Sequence, residues 1–187
     1  GVDGLERLGL GRSDLLGRYS VMLAVEGVHE KWILEELLGP ELEAMRVVVQ
    51  PLYGGSRAAQ LVHADFITRF TDWSVVVMWD NLRAVELSQA WERTTEMAEA
   101  GAQREEIRAM LRERLRGSSE SKFATQFMEQ AAAAGRTDRF GAPFAMSRKD
   151  ILHYLPTQAL SPRMPAKWEE VWERYAAQPT QLDEKAW

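Results

Sequence analysis

The stretch VMLAVEGVHEKWILEELLGP, residues 21–40, contains the first strand and the first helix that the sequence predicts. Its first five residues are all apolar, which is typical of a strand that is buried on both faces. A helical pattern follows, in which one face carries Trp32, Ile33, Leu37 and Leu38. Gly39-Pro40 predicts the end of this helix. The stretch therefore predicts a buried strand that leads directly into a helix.

Two further apolar segments predict strands of the same kind, RVVVQ at 46–50 and SVVVMW at 74–79. Between them lies a turn at 51–55, and Ser56 is a suitable N-cap for a helix that runs to about Phe70. Strands that are apolar on both faces need helices on both sides of their sheet. The sequence therefore predicts an α/β fold, a Rossmann-like parallel sheet of about four strands flanked by helices, with right-handed crossovers.

The rest of the chain predicts more helix and one late strand. Residues 85–115 have a helical pattern that is divided near Gly101, and residues 135–144 predict a turn and a strand. Ser147 is the expected N-cap of a short helix that ends at Pro156. The expected organisation is a lead-in or linker at 1–19, a domain at 20–156 whose core is 20–85, and a helical C-terminal extension at 157–187.

The composition excludes several classes of site. The 187 residues include no cysteine, which excludes disulfides, Cys-ligated zinc, iron–sulfur clusters and cysteine nucleophiles within the chain. No apolar run approaches the roughly 18–20 residues of a membrane span, so we expect a cytoplasmic protein without a membrane partner. The net charge of −5 gives no overall attraction to nucleic acid, and a bound metal ion would have to supply positive charge locally.

Acidic residues follow two of the predicted strands. Glu26 comes directly after the first strand, Asp80 directly after the third, and Glu30 lies in the first turn of the helix after Glu26. Ligands of open parallel sheets bind beyond the carboxyl ends of the strands, and clustered carboxylates suit a hard cation such as Mg²⁺. The alternative is that the two glutamates favour a helix N-terminus and that Asp80 caps the next helix. Both interpretations stay open at this point.

Three segments together resemble a Toprim domain, the metal-binding catalytic module of topoisomerases, bacterial primases and OLD-family nucleases. They are LAVEGVHEKWILEELLG at 23–39, VVVQPLYGG at 47–55 and VVVMWDN at 75–81. The Glu-Gly-x-x-Glu form of the first segment is most similar to OLD-like Toprim domains. The resemblance covers about residues 20–85. It implies a Rossmann-like sheet, dependence on Mg²⁺ or Mn²⁺, and catalytic and metal-binding roles for Glu26, Glu30 and Asp80.

The chain departs from the Toprim pattern in its Asp-x-Asp motif. Asp80 is followed by Asn81 and Leu82, so the second aspartate is missing, and Asn81 offers only a neutral carbonyl to a metal. The OLD-like pattern implies a further acidic ligand before a late short helix. Asp150 is the expected ligand of that kind, with capping or solvation as the alternative.

A glycine turn predicts a phosphate site at the same sheet edge. Gly54 and Gly55 open a helix, where free backbone N–H groups suit a phosphate, and Arg57 adds a bidentate donor. The alternative is that the glycines only form a turn. Lys31 is a further candidate for binding phosphate or nucleic acid, with a solvent-facing lysine as its alternative.

Two helical patterns predict surfaces rather than chemistry. Arg104, Arg108, Arg112 and Arg116 recur every four residues, as in a stripe that follows a nucleic-acid backbone. Interleaved glutamates favour the alternative, a salt-bridged solvent face. Near the C-terminus, Trp168, Trp172 and Tyr175 share a helix face that either packs on the domain or forms an oligomer surface.

The sequence therefore predicts a Toprim-like, metal-dependent phosphoryl-transfer domain that acts on DNA, with nuclease-type cleavage as the first hypothesis. The rival hypothesis is a non-catalytic module that binds metal and a nucleotide or nucleic acid. Its expected setting is a larger assembly with an ATPase domain or subunit, and a homo-oligomer is also compatible with the sequence. A plain Rossmann-like scaffold would require the position of the three acids to be coincidental.

Overall fold

The computed structural model describes residues 17–64, 71–80, 82–116, 119–146 and 151–157, together with 167, 169, 170 and 173. Its centre is a four-stranded sheet in the order β2-β1-β3-β4. The strands are β1 (Val21–Val25), β2 (Val47–Pro51), β3 (Ser74–Trp79) and β4 (Phe144–Ala145). All three strand pairs are parallel. The predicted α/β parallel sheet is confirmed.

Five α-helices flank the sheet in the part of the chain that is described. They are α1 (Val28–Ala44), α2 (Ala58–Leu61), α3 (Ala84–Glu99), α4 (Arg104–Arg114) and α5 (Ser119–Ala133). Short 3₁₀ helices form at Gly55–Arg57, Thr137–Arg139 and Ile151–Tyr154. The division between α3 and α4 falls at Gly101, where φ is 76°, as the sequence predicts.

Apolar side chains alternate across the sheet and fill a core on one of its faces. Right-handed crossovers in this strand order place α1 on one face and the other four helices on the opposite face. Strand residues that point to the four-helix side join one buried cluster with residues of α2, α3, α4 and α5; they are Met22, Ala24, Val75, Val77 and Trp79. The four-helix side therefore holds the main hydrophobic core.

The helix α1 continues beyond its predicted end. Gly39 and Pro40 lie inside it, and it ends at Ala44. Proline removes one backbone N–H and leaves the carbonyl four residues earlier without its helical donor. Here that carbonyl belongs to Glu36, which is exposed, so water can bond to it. The predicted stop was wrong because a proline on a solvated helix side is tolerated.

The helix predicted from Ser56 to about Phe70 also differs from the structure. Gly54, not Ser56, precedes the first helical turn, which is the 3₁₀ helix Gly55–Arg57. The α2 helix then has only four residues and is followed by a turn at 62–63. Residues 65–70 lie outside the described part.

The chain divides into two compact units, Gly1–Ser147 and Arg148–Trp187. In the second unit the described residues include the 3₁₀ helix Ile151–Tyr154. The aromatic face predicted from Trp168, Trp172 and Tyr175 lies outside the described residues. Within the described residues, no helix is long and apolar enough to cross a membrane.

Phe127 of α5 is the centre of an aromatic cluster in the core. Its side chain is fully buried. Its ring stacks on Trp91 of α3 at 6.0 Å between centroids and meets the edge of Phe140 at 5.1 Å. The ring of Trp79 in β3 lies 6.5 Å away. Phe127 therefore connects two helices with the sheet.

We predict that Phe127→Ala lowers the free energy of unfolding by roughly 3–5 kcal/mol, because the variant loses buried area and leaves a cavity. Urea unfolding measures this change. Val85→Ala is the control, because Val85 is exposed on α3, and it should change stability by less than about 0.5 kcal/mol. Similar losses in the two variants would contradict this account of the core.

A buried carboxylate connects α4 and α5. The side chain of Glu129 is 7% exposed. It accepts hydrogen bonds from Arg108 Nε at 2.7 Å and Nη2 at 2.6 Å, and from Arg104 Nε at 2.5 Å. The hydrogen bond from Arg108 is the largest cause that lowers the pKa of Glu129; burial opposes it and Arg104 adds to it. Two members of the predicted arginine stripe are thus salt-bridged to a neighbouring helix.

We predict that Glu129→Gln lowers the free energy of unfolding at pH 7 by roughly 1.5–3 kcal/mol, because two hydrogen-bonded arginines lose their anion. The folded-state pKa of Glu129 is depressed, so its stabilisation is present above the ordinary value of 4.5 and is lost as the pH falls through the folded pKa. The difference between wild type and variant should therefore shrink in acid.

Urea unfolding at pH 7 and at pH 3 measures both effects. Glu96→Gln is the control, since Glu96 forms an exposed pair with Arg93 and should contribute at most about 1 kcal/mol. A Glu129→Gln effect that is equal at both pH values would contradict the charge-based explanation.

Candidate functional site at the carboxyl edge of the sheet

The strand order creates a crevice between β1 and β3. After β1 the chain crosses to β2 on one side, and after β2 it crosses to β3 on the other side. Ligands of open α/β sheets bind outside the carboxyl ends of the strands at such a switch point. Glu26 follows the last residue of β1, and Asp80 follows the last residue of β3. Adjacent strands lie about 4.8 Å apart, so the sheet brings the main chains of the two acids to one edge.

The turn that follows β2, residues 52–55, folds over the end of β1 and contacts Glu26. The N–H of Leu52 donates to the carbonyl of Val25 at 2.8 Å, and the N–H of Gly54 donates to the carbonyl of Glu26 at 3.0 Å. A Cβ atom built on Gly55 would lie 3.6 Å from Glu26 Oε1. The structure therefore places the predicted glycine turn directly beside the Glu26 carboxylate.

Gly55 is enclosed by ring atoms from two other elements. The same Cβ position lies 3.0 Å from Phe123 Cδ2 and 3.2 Å from Trp79 Cζ3. Phe123 belongs to α5, and Trp79 is the last residue of β3. A side chain at residue 55 would therefore displace the wall of the crevice beside Glu26.

The turn before Gly55 has an unusual backbone conformation. Tyr53 has a positive φ of 58°, and Gly54 has a φ of 124°. A non-glycine residue in the left-handed region costs of order 1–3 kcal/mol, and such positions are frequent at functional sites. The side chain of Tyr53 is exposed. The chain therefore keeps a strained residue at the sheet edge that carries Glu26.

The helix that follows the predicted phosphate-binding glycines is shorter than expected. Gly54 and Gly55 precede a 3₁₀ turn of three residues and the four-residue helix α2, and so short a helix has only a small macrodipole. The side chain of Arg57 is exposed. Phosphate binding by Gly54, Gly55 and Arg57 stays a prediction that depends on backbone N–H groups and the guanidinium.

Glu30 shapes the loop that follows Glu26. It is 6% exposed, and its Oε2 accepts a hydrogen bond from the N–H of Gly27 at 2.9 Å. A Cβ atom on Gly27 would lie only 2.9 Å from the same oxygen. The Glu-Gly-x-x-Glu spacing thus has a physical reason here: the glycine leaves space for the carboxylate that caps the helix. This is the helix-terminus role that the sequence left open, and it also fixes the main chain next to Glu26.

Asp80 is buried at the same edge, with 8% of its surface exposed. The carbonyl of the preceding Trp79 accepts a hydrogen bond from the N–H of Met146 at 2.8 Å, so β4 supports the strand end. The indole N–H of Trp79 is buried and has no hydrogen-bond partner among the described residues. Asn81 and Asp150, the two further predicted ligands, lie outside the described residues.

The ammonium group of Lys31 contacts β2 and a neighbouring carboxylate of α1. Its Nζ donates to the carbonyl of Val49 in β2 at 3.2 Å and forms an ion pair with Glu35 at 2.9 Å. An ammonium group has three donors, and these contacts occupy two of them. A phosphate role for Lys31 stays a prediction.

The donor set at this edge suits a magnesium ion in its chemistry. Mg²⁺ takes oxygen ligands and is usually bound through one or two carboxylates plus water and phosphate oxygens. Glu26 is half-buried and Asp80 is buried at the ends of neighbouring strands. Within the described ranges, no group of three or more His, Asp or Glu side chains is arranged to hold a metal. The ligand set of Glu26, Glu30, Asp80, Asn81 and Asp150 therefore stays a prediction.

Two residues that join distant segments of the chain carry no local sequence signal. Phe123 reaches Gly55 from α5, far along the chain, and Glu129 pairs with arginines that are 21 and 25 positions earlier. Only the packing of α5 against its neighbours brings these residues into place.

No protein-family model, curated protein or solved structure matches this chain. What the chain does has to be inferred from its own residues and their geometry.

We predict that Gly55→Ala lowers the free energy of unfolding by roughly 1–3 kcal/mol, because the added methyl group meets two ring atoms in a packed wall. Gly39→Ala is the matched control. Gly39 lies inside α1, and a Cβ there would meet no atom within 4 Å, so the control should be neutral or more stable by about 0.5–1 kcal/mol. Urea unfolding compares the two, and equal stabilities would contradict the close packing at Gly55.

Proposed function

We propose that this chain is a Toprim-like domain that cleaves phosphodiester bonds of DNA with Mg²⁺ or Mn²⁺. One observation carries the proposal: Glu26 and Asp80 follow the adjacent parallel strands β1 and β3, at the switch point of the sheet. The quoted Toprim resemblance assigns catalytic and metal-binding roles to the same two residues. The proposed substrate class follows from that resemblance.

The residues at the carboxyl edge of the sheet would have different roles in binding the metal ion and the phosphate. Glu26 and Asp80 would hold the divalent ion, which supplies positive charge for the phosphate and lowers the pKa of water. Glu30 would position the Gly27 main chain through its 2.9 Å hydrogen bond. Gly54, Gly55 and Arg57 would orient a phosphate at the turn that contacts Glu26.

The proposed reaction is a hydrolysis. The oxygen of a water molecule forms a bond to phosphorus as the bond to the leaving-strand oxygen breaks. One carboxylate oxygen of Glu26 would accept the proton of the water while the other holds the ion, and the leaving oxygen would take up a proton from solvent. The closed wall of Trp79 and Phe123 around Gly55 would limit the access of other water to this position.

We expect Glu26→Gln and Asp80→Asn each to reduce metal-dependent cleavage of plasmid or single-stranded DNA by at least about a hundredfold, since each removes a charged ligand. The assay compares Mg²⁺, Mn²⁺ and EDTA, and circular dichroism checks that both variants fold. Glu92→Gln is the control, because Glu92 is an exposed carboxylate on α3. Cleavage that either site variant retains at the wild-type rate would overturn the proposal.

A second candidate function is metal and nucleic-acid binding without cleavage, in an assembly that includes an ATPase domain or subunit. The absence of a three-carboxylate group within the described ranges favours it, as does the neutral Asn81 in place of a second aspartate. Calorimetric titration with Mg²⁺ separates the candidates. The second candidate function is supported if the wild-type protein binds Mg²⁺, the Glu26→Gln variant does not, and the wild-type protein cleaves no DNA.

A further inference from the structure

A basic groove runs between α4 and α5, apart from the acidic edge. It encloses about 610 Å³. Its charged lining consists of Arg104, Arg108, Arg112, Arg116, Lys122 and Glu129. Five positive groups therefore face one carboxylate, in a chain whose net charge is −5. Such a local excess of positive charge on an acidic protein attracts anions specifically to this groove.

Glu129 does not neutralise the groove. It pairs with Arg104 and Arg108, which leaves one positive charge in excess within that trio. Arg112 and Arg116 are exposed, and neither forms an ion pair with the described residues. Lys122 is exposed on the opposite wall. The groove thus has an anchored positive end and three further cations along its length.

The spacing of the arginines suits a repeating anion. Residues four apart in a helix are separated by about 6 Å along its axis, so Arg104, Arg108 and Arg112 span about 12 Å of α4. Arg116 lies two residues beyond the end of that helix. Duplex DNA carries one phosphate per 3.4 Å of axis on each strand, so the length of about 12 Å corresponds to about three to four base pairs. Among the described residues, the lining of the groove includes no aromatic side chain, which disfavours base stacking on single strands and favours contact with a duplex backbone.

The groove extends toward the chain segment that follows β3. A second depression of about 400 Å³ shares Leu115, Arg116 and Ser121 with the groove and extends to Leu82 and Arg83. Leu82 lies two residues after Asp80. The second depression also carries the carboxylates of Glu86 and Glu113. A polyanion in the groove would therefore come close to the chain segment that follows Asp80.

From these contacts we infer that the α4–α5 groove binds the phosphate backbone of duplex DNA, independently of base sequence, and directs it to the carboxyl edge of the sheet. The inference deepens the proposed function and depends on it for the identity of the substrate. Binding in the groove itself needs neither a metal ion nor cleavage.

The test is fluorescence anisotropy of a labelled 20-base-pair duplex with the full chain in EDTA. Arg112→Ala/Arg116→Ala should weaken binding by about tenfold at 50 mM salt, and the slope of log K against log[salt] should fall by about 2, as expected for two lost phosphate contacts. Lys122→Ala, from the other wall, should lower the slope by about 1.

The matched control is Arg18→Ala/Arg93→Ala, which removes the same charge from two exposed arginines outside the groove. The control should keep wild-type affinity. An equal loss in the control would show that only net charge matters, and it would overturn the inference. A wild-type chain that does not bind duplex at low salt would also overturn it.

Competition with a polyglutamate peptide distinguishes a DNA-binding groove from one that binds an acidic protein. If the peptide displaces the labelled duplex as well as unlabelled duplex does at equal charge concentration, the groove is an acidic-peptide site and the inference is wrong. All binding measurements run in EDTA, so they do not depend on cleavage. A chain that binds duplex in EDTA but does not cleave DNA in Mg²⁺ would contradict the proposed nuclease activity and leave the groove inference intact.

Discussion

The position of β1 between β2 and β3 determines the geometry of everything at the candidate active edge. β1 is hydrogen-bonded to a parallel strand on each side. At the end of β1, the carbonyls of Val25 and Glu26 accept hydrogen bonds from the N–H groups of Leu52 and Gly54, in the segment that follows β2. Because side chains alternate along a strand, a register shift of one residue would turn the Glu26 carboxylate to the other face of the sheet.

The two faces of the sheet differ in how they are covered. The face with α2–α5 carries the large core cluster, whereas α1 keeps Trp32, Leu37 and Leu38 exposed. The basic groove is formed by α4 and α5, on the four-helix side. The α5 helix contributes to three features at once: the aromatic core through Phe127, the crevice wall through Phe123, and the groove through Lys122 and Glu129.

The elements that depend on local pattern could be predicted from the sequence. The three apolar runs specify β1, β2 and β3, and Gly101 specifies the division of α3 from α4. The continuation of α1 through Pro40 could not be predicted, because it depends on the solvent exposure of this side of the helix around Glu36.

The candidate site was predictable to a similar extent. The residues that follow strands, Glu26 and Asp80, lie at one sheet edge because the topology is parallel. The capping bond of Glu30 to Gly27 is also local, whereas the glycine turn lies beside Glu26 because β1 and β2 are neighbouring parallel strands. The contact of Phe123 with Gly55 and the pairing of Glu129 with Arg108 join distant segments, and a single sequence has no pattern that specifies them. The metal, substrate and reaction stay predictions.

The buried carboxylate of Glu129 has a consequence for how the groove would respond to an anion. Arginine side chains lose up to about 2 kcal/mol of rotamer entropy when they become fixed. The three hydrogen bonds from Arg104 and Arg108 to Glu129 already restrict these two side chains in the folded protein. Their ordering cost therefore belongs to folding, so the anchored end of the groove is preorganised, and only Arg112, Arg116 and Lys122 remain to be ordered when an anion arrives.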